Sequence, residues 1–200
     1  MPYRRTPAVQ ARLDAGRIKL LAAAVEVLST KGYAGLSVAS VAAAAGVSAG
    51  SVYTHFDGKS ELVVEVFRRV CNREVAAVVA VAARGSTSER VTAVVQTFAG
   101  RALKNRTMAF ALLAEPVDPA VDAERLVFRQ KFTDAFADAI VAGIAAGEIP
   151  EQDAAVSAAA LVGAVGEVMV GPLSSHDCVD PIPSLVALSL RALGVRDGHA

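Results

Sequence analysis

Tryptophan is absent from this chain of 200 residues, and cysteine occurs only twice. Cys71 and Cys178 stand far apart, without CxxC spacing or a neighbouring histidine pair, which argues against both a zinc site and a disulfide framework. Such cysteine usage suits a reducing cytoplasm. His176 and His199 fall in a loop and at the tail, and no nucleophile, base and acid come together. Neither an enzyme nor a metal or cofactor site is therefore expected. The start, MPYRRTPAVQARLDAGR, has no continuous apolar core and no small-residue cleavage pattern. A secretory signal is not expected there, and the protein is placed in the cytoplasm.

Net charge is lacking too, since 20 Lys and Arg meet 20 Asp and Glu, but the balance is uneven along the chain. Residues 1–60 hold seven basic side chains against Asp14, Glu26 and Asp57, an excess of four positive charges, and the remainder carries the opposite excess. A polyanionic partner for the N-terminal part follows. One long apolar run, Ala154 to Leu173, has Glu167 as its sole charge and is long enough to cross a bilayer. It is built of Ala, Val and Gly, has no aromatic belt, and is flanked by Glu151, Asp153, Asp177 and Asp180 rather than by a basic cluster. A buried helix is expected instead, with no membrane partner.

What is present is helical. Hydrophobic residues make up 54% of the chain, mostly Ala and Val, and they recur at steps of three and four. The first such stretch is Arg17 to Thr30, closed by Lys31-Gly32; a short helix from Ser37 to Ala45 follows, with Ser37 and Gly46 as its caps. Ser48 caps a brief helix from Ala49 to His55, and Asp57-Gly58 separates it from a long amphipathic stretch, Lys59 to Ala83. Further helices are expected at Ser88 to Lys104, Thr107 to Ala114, Val121 to Ala146, Asp153 to Val170 and Ser184 to Leu193. Pro116, Pro119, Gly147, Pro150 and the segment from Gly171 to Pro183 supply the breaks. No strand pattern competes, so the fold class is all-α.

Two short helices around Gly46 meet the needs of a helix-turn-helix, which locks a pair at a steep angle and leaves the second able to enter a major groove. Val41, Ala45, Val47, Val52 and Phe56 form a miniature core, and Ser51, Tyr53, Thr54 and His55 remain as polar groups. The stretch V-A-A-A-A-G-V-S-A-G-S-V-Y-T-H-F-D-G-K-S-E-L, from Val41 to Leu62, resembles the signature of the TetR (tetracycline repressor) family, and K-G-Y-A-G-L-S from Lys31 to Ser37 fits upstream. This resemblance covers about fifty residues.

The resemblance implies base-edge or phosphate contacts from Ala49, Gly50, Ser51, Tyr53, Thr54 and His55, with Tyr53 and His55 clamping the backbone, and a phosphate contact from Lys59. Ser37 and Ser48 are added as phosphate donors at helix N-termini. The small Ala49-Gly50-Ser51 start lacks Arg, Asn or Gln for bidentate reading, which shifts specificity toward DNA shape or water. Arg4, Arg5, Arg12, Arg17 and Lys19 are either a solvated run or an arm reaching the DNA backbone or minor groove, with residues 1–11 read as a flexible basic arm. The implied organisation is an N-terminal three-helix helix-turn-helix domain, 1–60, followed by a helical effector-binding and dimerisation domain, 61–200.

Double-stranded operator DNA, a small-molecule effector and a second copy of the chain are the implied partners. A recognition helix of seven residues is only ~10 Å long, so two copies are needed to specify a site. The last two helices, with Ala160, Gly163, Ala164 and Gly166 on one and Leu185, Leu188 and Leu193 on the other, are the expected homodimer interface. Phe128, Phe132, Phe136, Ile140 and Ile144 form a stripe that is either core or the wall of a pocket completed by Phe98, Met108, Phe110, Leu112 and Leu113. Arg125 and Arg129 beside it meet either a ligand carboxylate or phosphate, or Glu124 and Asp122, while Glu115 and Glu167, in apolar surroundings, are the alternative contacts for a cationic ligand. The expected function is a ligand-responsive transcriptional repressor released from its operator by a hydrophobic or amphipathic effector; a ligand-independent regulator or an activator is the alternative.

Overall fold

Helix boundaries in this chain fall where glycine, proline or serine gives them a local cause. The computed structural model describes residues 6–174 and 180–195; Arg4, Arg5, His176, Asp177, Cys178 and His199 lie outside the described residues. The described helices are α1 (Pro7–Lys31), α2 (Val38–Ala45), α3 (Ala49–Tyr53), α4 (Lys59–Ala82), α5 (Thr87–Lys104), α6 (Arg106–Leu113), α7 (Pro119–Ala145), α8 (Ala154–Ser174) and α9 (Ile182–Ala192). The fold is all-α, and no strand occurs among the described residues.

Two expectations need correction. The first helix begins at Pro7, so residues 7–11 are helical rather than a flexible arm. Proline suits a helix's first turn, where its missing N–H has no intrahelical partner to lose. Residues 7–12 are all exposed, which is why no apolar periodicity announces them. The second correction concerns α8, which is long and apolar enough to cross a membrane. It is not a buried helix: Leu161, Val165 and Met169 pack inward, but Val156 and Val168 are 65% and 43% exposed. It also extends past the expected end at Val170, because Pro172 is accommodated inside the helix, which runs on to Ser174.

The buried side chains form two cores. The first gathers α1, α2 and α3 around Leu28, Leu36, Val41, Val52 and Phe56, and extends past residue 60 to Leu62, Val66, Phe67, Met108 and Val121. The second joins Val78, Val95, Phe136, Ile140, Leu161, Met169, Leu185 and Leu193. Three helices, α4, α6 and α7, serve both. At 1.5 Å per residue the 24-residue α4 is a rod of ~36 Å, with Leu62 to Val70 in the first core and Val78 and Ala82 in the second.

Candidate nucleic-acid interface and central cavity

The α2–α3 pair is built by reciprocal capping and one left-handed glycine. Ser37 Oγ accepts from the Ser40 N–H at 3.1 Å while Ser40 Oγ accepts from the Ser37 N–H at 2.9 Å, which satisfies two N-terminal donors at once. At the other end Gly46 adopts φ 65°, and the N–H groups of Gly46 and Val47 donate to Ala43 and Ala42 at 3.1 and 3.0 Å. That is a Schellman ending, which a side chain at Gly46 would strain. Val41, Ala45, Val52 and Phe56 are buried as expected, and Val47 is half-buried.

The outward side of α3 carries Ala49, Gly50, Tyr53 and Thr54, all exposed, with Ser51 and His55 half-buried. Lys59 is exposed at the first position of α4, its ammonium 5.6 Å from the centre of the Tyr33 ring. Several polar groups are engaged within the protein. Ser48 Oγ accepts from the Ser51 N–H at 3.3 Å, the Thr54 hydroxyl donates to the Gly50 carbonyl at 3.2 Å, and the Ser37 hydroxyl donates to Ser40 Oγ at 3.0 Å. A Cβ at Gly16 would lie 2.8 Å from His55 Nε2, so that imidazole packs against α1.

Arg17 is not part of a free arm. Its guanidinium donates to the His55 carbonyl, pairs with Glu61 and Glu65 at 3.3 and 3.4 Å, and lies 4.3 Å from the centre of the Phe56 ring. It thereby ties α1 to the α3–α4 junction. Arg12 and Lys19 are exposed on α1.

Between α4, α5, α6, α7 and α8 lies a cavity of about 230 Å³. Phe98, Phe128, Phe132 and Phe136 furnish its aromatic wall, and the Phe98 and Phe132 rings meet edge to face at 5.4 Å. Met108, Leu112, Leu113, Arg125 and Arg129 also line it. Phe110 and Glu167 do not. Phe110 stands about 200° around α6 from Met108 and packs instead against the second core. Glu167 follows Gly166 on α8 and is turned to the exposed side, so its expected apolar setting is absent among the described residues. Ile140 is fully buried in the second core rather than on the cavity wall.

Charge around the cavity is nearly balanced. Burial pushes the Glu74 carboxyl up, but Arg101, at 2.5 and 3.0 Å, and Arg73 draw it below its ordinary value. Sequence reasoning missed this pair, since the two residues sit on different helices 27 positions apart. Cys71 also lines the cavity, its thiol pushed up to about 12 by burial and then by Glu74. Arg125 donates to the carbonyls of Ala111, Leu112 and Glu115 and lies 3.8 Å from Asp122. Burial lowers its pKa from the usual arginine value. Arg129 is exposed at the rim with no ion pair or side-chain hydrogen bond among the described residues.

The cavity and the helix-turn-helix meet at the turn after α6. The Glu115 carboxylate accepts from the N–H groups of Tyr33 and Ala34, both at 2.8 Å, directly ahead of α2. The Tyr33 hydroxyl donates to Asp118 at 2.6 Å and accepts from the Asp118 N–H at 3.1 Å. Because Arg125 holds the same turn by its Glu115 carbonyl, one continuous set of hydrogen bonds links the cavity wall to the start of the helix-turn-helix. Glu115 is thus a helix-to-turn bridge and not a cavity residue.

Comparison with known proteins addresses both halves. Residues 20–66 match the family described as bacterial regulatory proteins, tetR family, and residues 84–170 match the Tetracyclin repressor-like C-terminal domain. The chain is 50% identical over 66 residues to the HTH-type transcriptional regulator CymR of Pseudomonas putida, a stretch covering 33% of this chain and 32% of that relative. It therefore spans about a third of CymR's length. Among solved structures, a bacterial regulatory protein in the tetR family from Rhodococcus RHA1 is 25% identical with a TM-score of 0.69, covering 91% of this chain and 98% of that one. The transcriptional regulator FadR of Bacillus subtilis, solved in complex with stearoyl-CoA, is 20% identical with a TM-score of 0.72, covering 88% of this chain and 95% of that one.

Proposed function

Because this chain belongs to the TetR family of bacterial transcriptional regulators, we propose that it binds operator DNA as a homodimer in the cytoplasm and is switched by a small molecule held in its central cavity. The observation that carries this reading is the direct hydrogen-bonded connection, through Arg125 and Glu115, between the cavity wall and the turn ahead of α2. A ligand shifts a two-state equilibrium only by binding the two states unequally. A molecule displacing Arg125 or the end of α6 moves the support of the helix-turn-helix, and the α4 rod shares both cores and carries the same displacement. The sign we assign is release from DNA, so the protein represses until its effector arrives.

On the DNA side, the exposed α3 face of Ala49, Gly50, Tyr53 and Thr54, with Lys59 at the head of α4, is the proposed contact surface. Ser37, Ser48, Ser51 and His55 flank it; because Ser37 and Ser48 also cap their helices, their loss is expected to act through helix position as well as contact. The dimer is proposed to form through α8 and α9. A fold neighbour, FadR of Bacillus subtilis, was solved with stearoyl-CoA, which supports a ligand-holding role for this fold. Genomic footprinting of bound sites tests the proposal, followed by titration of the purified protein on the sites found. Loss of protection on Lys59→Ala, with the fold intact, is the expected result; absence of any protected site overturns the reading.

A further inference from the structure

Five charged side chains line the cavity: Glu74, Arg101, Asp122, Arg125 and Arg129. Glu74 is taken by Arg101 at 2.5 and 3.0 Å, and Asp122 faces Arg125 at 3.8 Å. Three arginines against two carboxylates leave one cation over, and the geometry identifies it as Arg129. Its neighbours one helical turn away on either side are Arg125, Leu126, Phe132 and Thr133, none of them acidic. A guanidinium beside an apolar chamber prefers a carboxylate or a phosphate monoester oxygen, which it meets with paired donors.

The walls set the rest of the ligand. Four phenylalanines form the chamber, and its volume of about 230 Å³ can be scaled from cavities near 150 Å³ that hold benzene, leaving room for roughly ten non-hydrogen atoms. A second negative charge would find only Glu74 and Asp122 opposed to it, or arginines already engaged. We infer that the cavity binds an organic monoanion, a single carboxylate on an apolar body of roughly ten non-hydrogen atoms, with its head group on Arg129. The inference rests on the ligand-switched reading above and names the class of its effector.

The test uses the full chain near pH 7.5 with octanoate and 3-phenylpropanoate, each against its neutral primary amide, and octylamine as the cationic control. Thermal shift and calorimetry report binding, and footprinting on a genomic site reports DNA release. At least one acid should bind saturably and about tenfold or more tighter than its amide, the scale of a charge-assisted contact. Preference for one acid distinguishes an aliphatic from an aromatic body. Arg129→Gln should bring the acid down to the level of the amide, and Arg129→Lys should restore part of the difference; unliganded Tm confirms that both variants fold. Equal binding of acid and amide, preference for octylamine, no saturable binding of either acid, or selectivity unchanged in Arg129→Gln each overturns the inference. DNA binding without acid binding leaves the regulatory reading standing and removes the anion site. Acid binding without any effect on DNA does the opposite.

Discussion

Thr87 and Gly143 show how little room the second core leaves. Thr87 is buried, and a Cβ built on Gly143 would clash with its hydroxyl and methyl groups. Gly143→Ala is therefore expected to lower stability by about 1–3 kcal/mol despite alanine's better helix propensity, measured as a lower urea midpoint at unchanged slope. Cys71 offers a chemical probe at the same scale. With its thiol pushed up to about 12, roughly one molecule in 10⁵ carries a thiolate at pH 7. In a Cys178→Ser background, iodoacetamide should leave Cys71 unmodified in the native protein and label it after denaturation; rapid native labelling would contradict the burial described. The aromatic stripe on α7 was legible from four-residue spacing. Arg129's isolation was not, because it depends on which acids the other arginines have already engaged.

At the scale of elements, local chemistry explains why most helices were readable in advance: Ser37, Ser48, Gly46 and the prolines act within a few residues of where they sit. The bridge from Glu115 to Tyr33 and Ala34 spans more than 80 residues, and no local pattern announces it. Glu115→Ala leaves two N–H groups without their acceptor, a cost of about 1–3 kcal/mol that water at this half-buried turn reduces toward the lower bound. The more telling expectation is functional: the variant should still bind effector but lose most of the coupling between effector and DNA affinity, read by titrating DNA with and without ligand. Acid sensitivity belongs to elements as well. The carboxyls of Glu89 and Glu148, held by the N–H groups of Ser86 and Thr87 at the start of α5, lie below their ordinary value of 4.5. Arg68 lowers Glu124 on α7, and Glu74 is lowered against its burial. Such depressed groups contribute stability that is complete above 4.5 and disappears as pH falls through their folded values. Tm should therefore decline below pH 4.5, and less steeply in Glu148→Gln than in the parent.

For the molecule as a whole, α8 poses the question that the single chain leaves open. Its run of Ala, Val and Gly is legible in the sequence, but the sequence could not say whether the run lies inside one chain or between two. Val156, Ala160, Gly163 and Glu167 fall at steps of four, three and four on its outward side, and a Cβ at Gly163 would meet nothing within 4 Å. Glycine inside a helix costs up to about 1 kcal/mol against alanine, so residues this small with empty space around them are poorly explained by packing within the chain. The proposed dimer accounts for them through close approach by a second helix, and Leu188 on α9 is likewise 41% exposed. Gly163→Leu should thus leave the monomer fold intact, by helical circular dichroism, while abolishing dimers in sedimentation at micromolar concentration. Since a single α3 of five residues reads too little DNA to select a site, operator affinity should fall by two orders of magnitude or more with the dimer. A Gly163→Leu protein that remains dimeric would move the interface away from this face of α8.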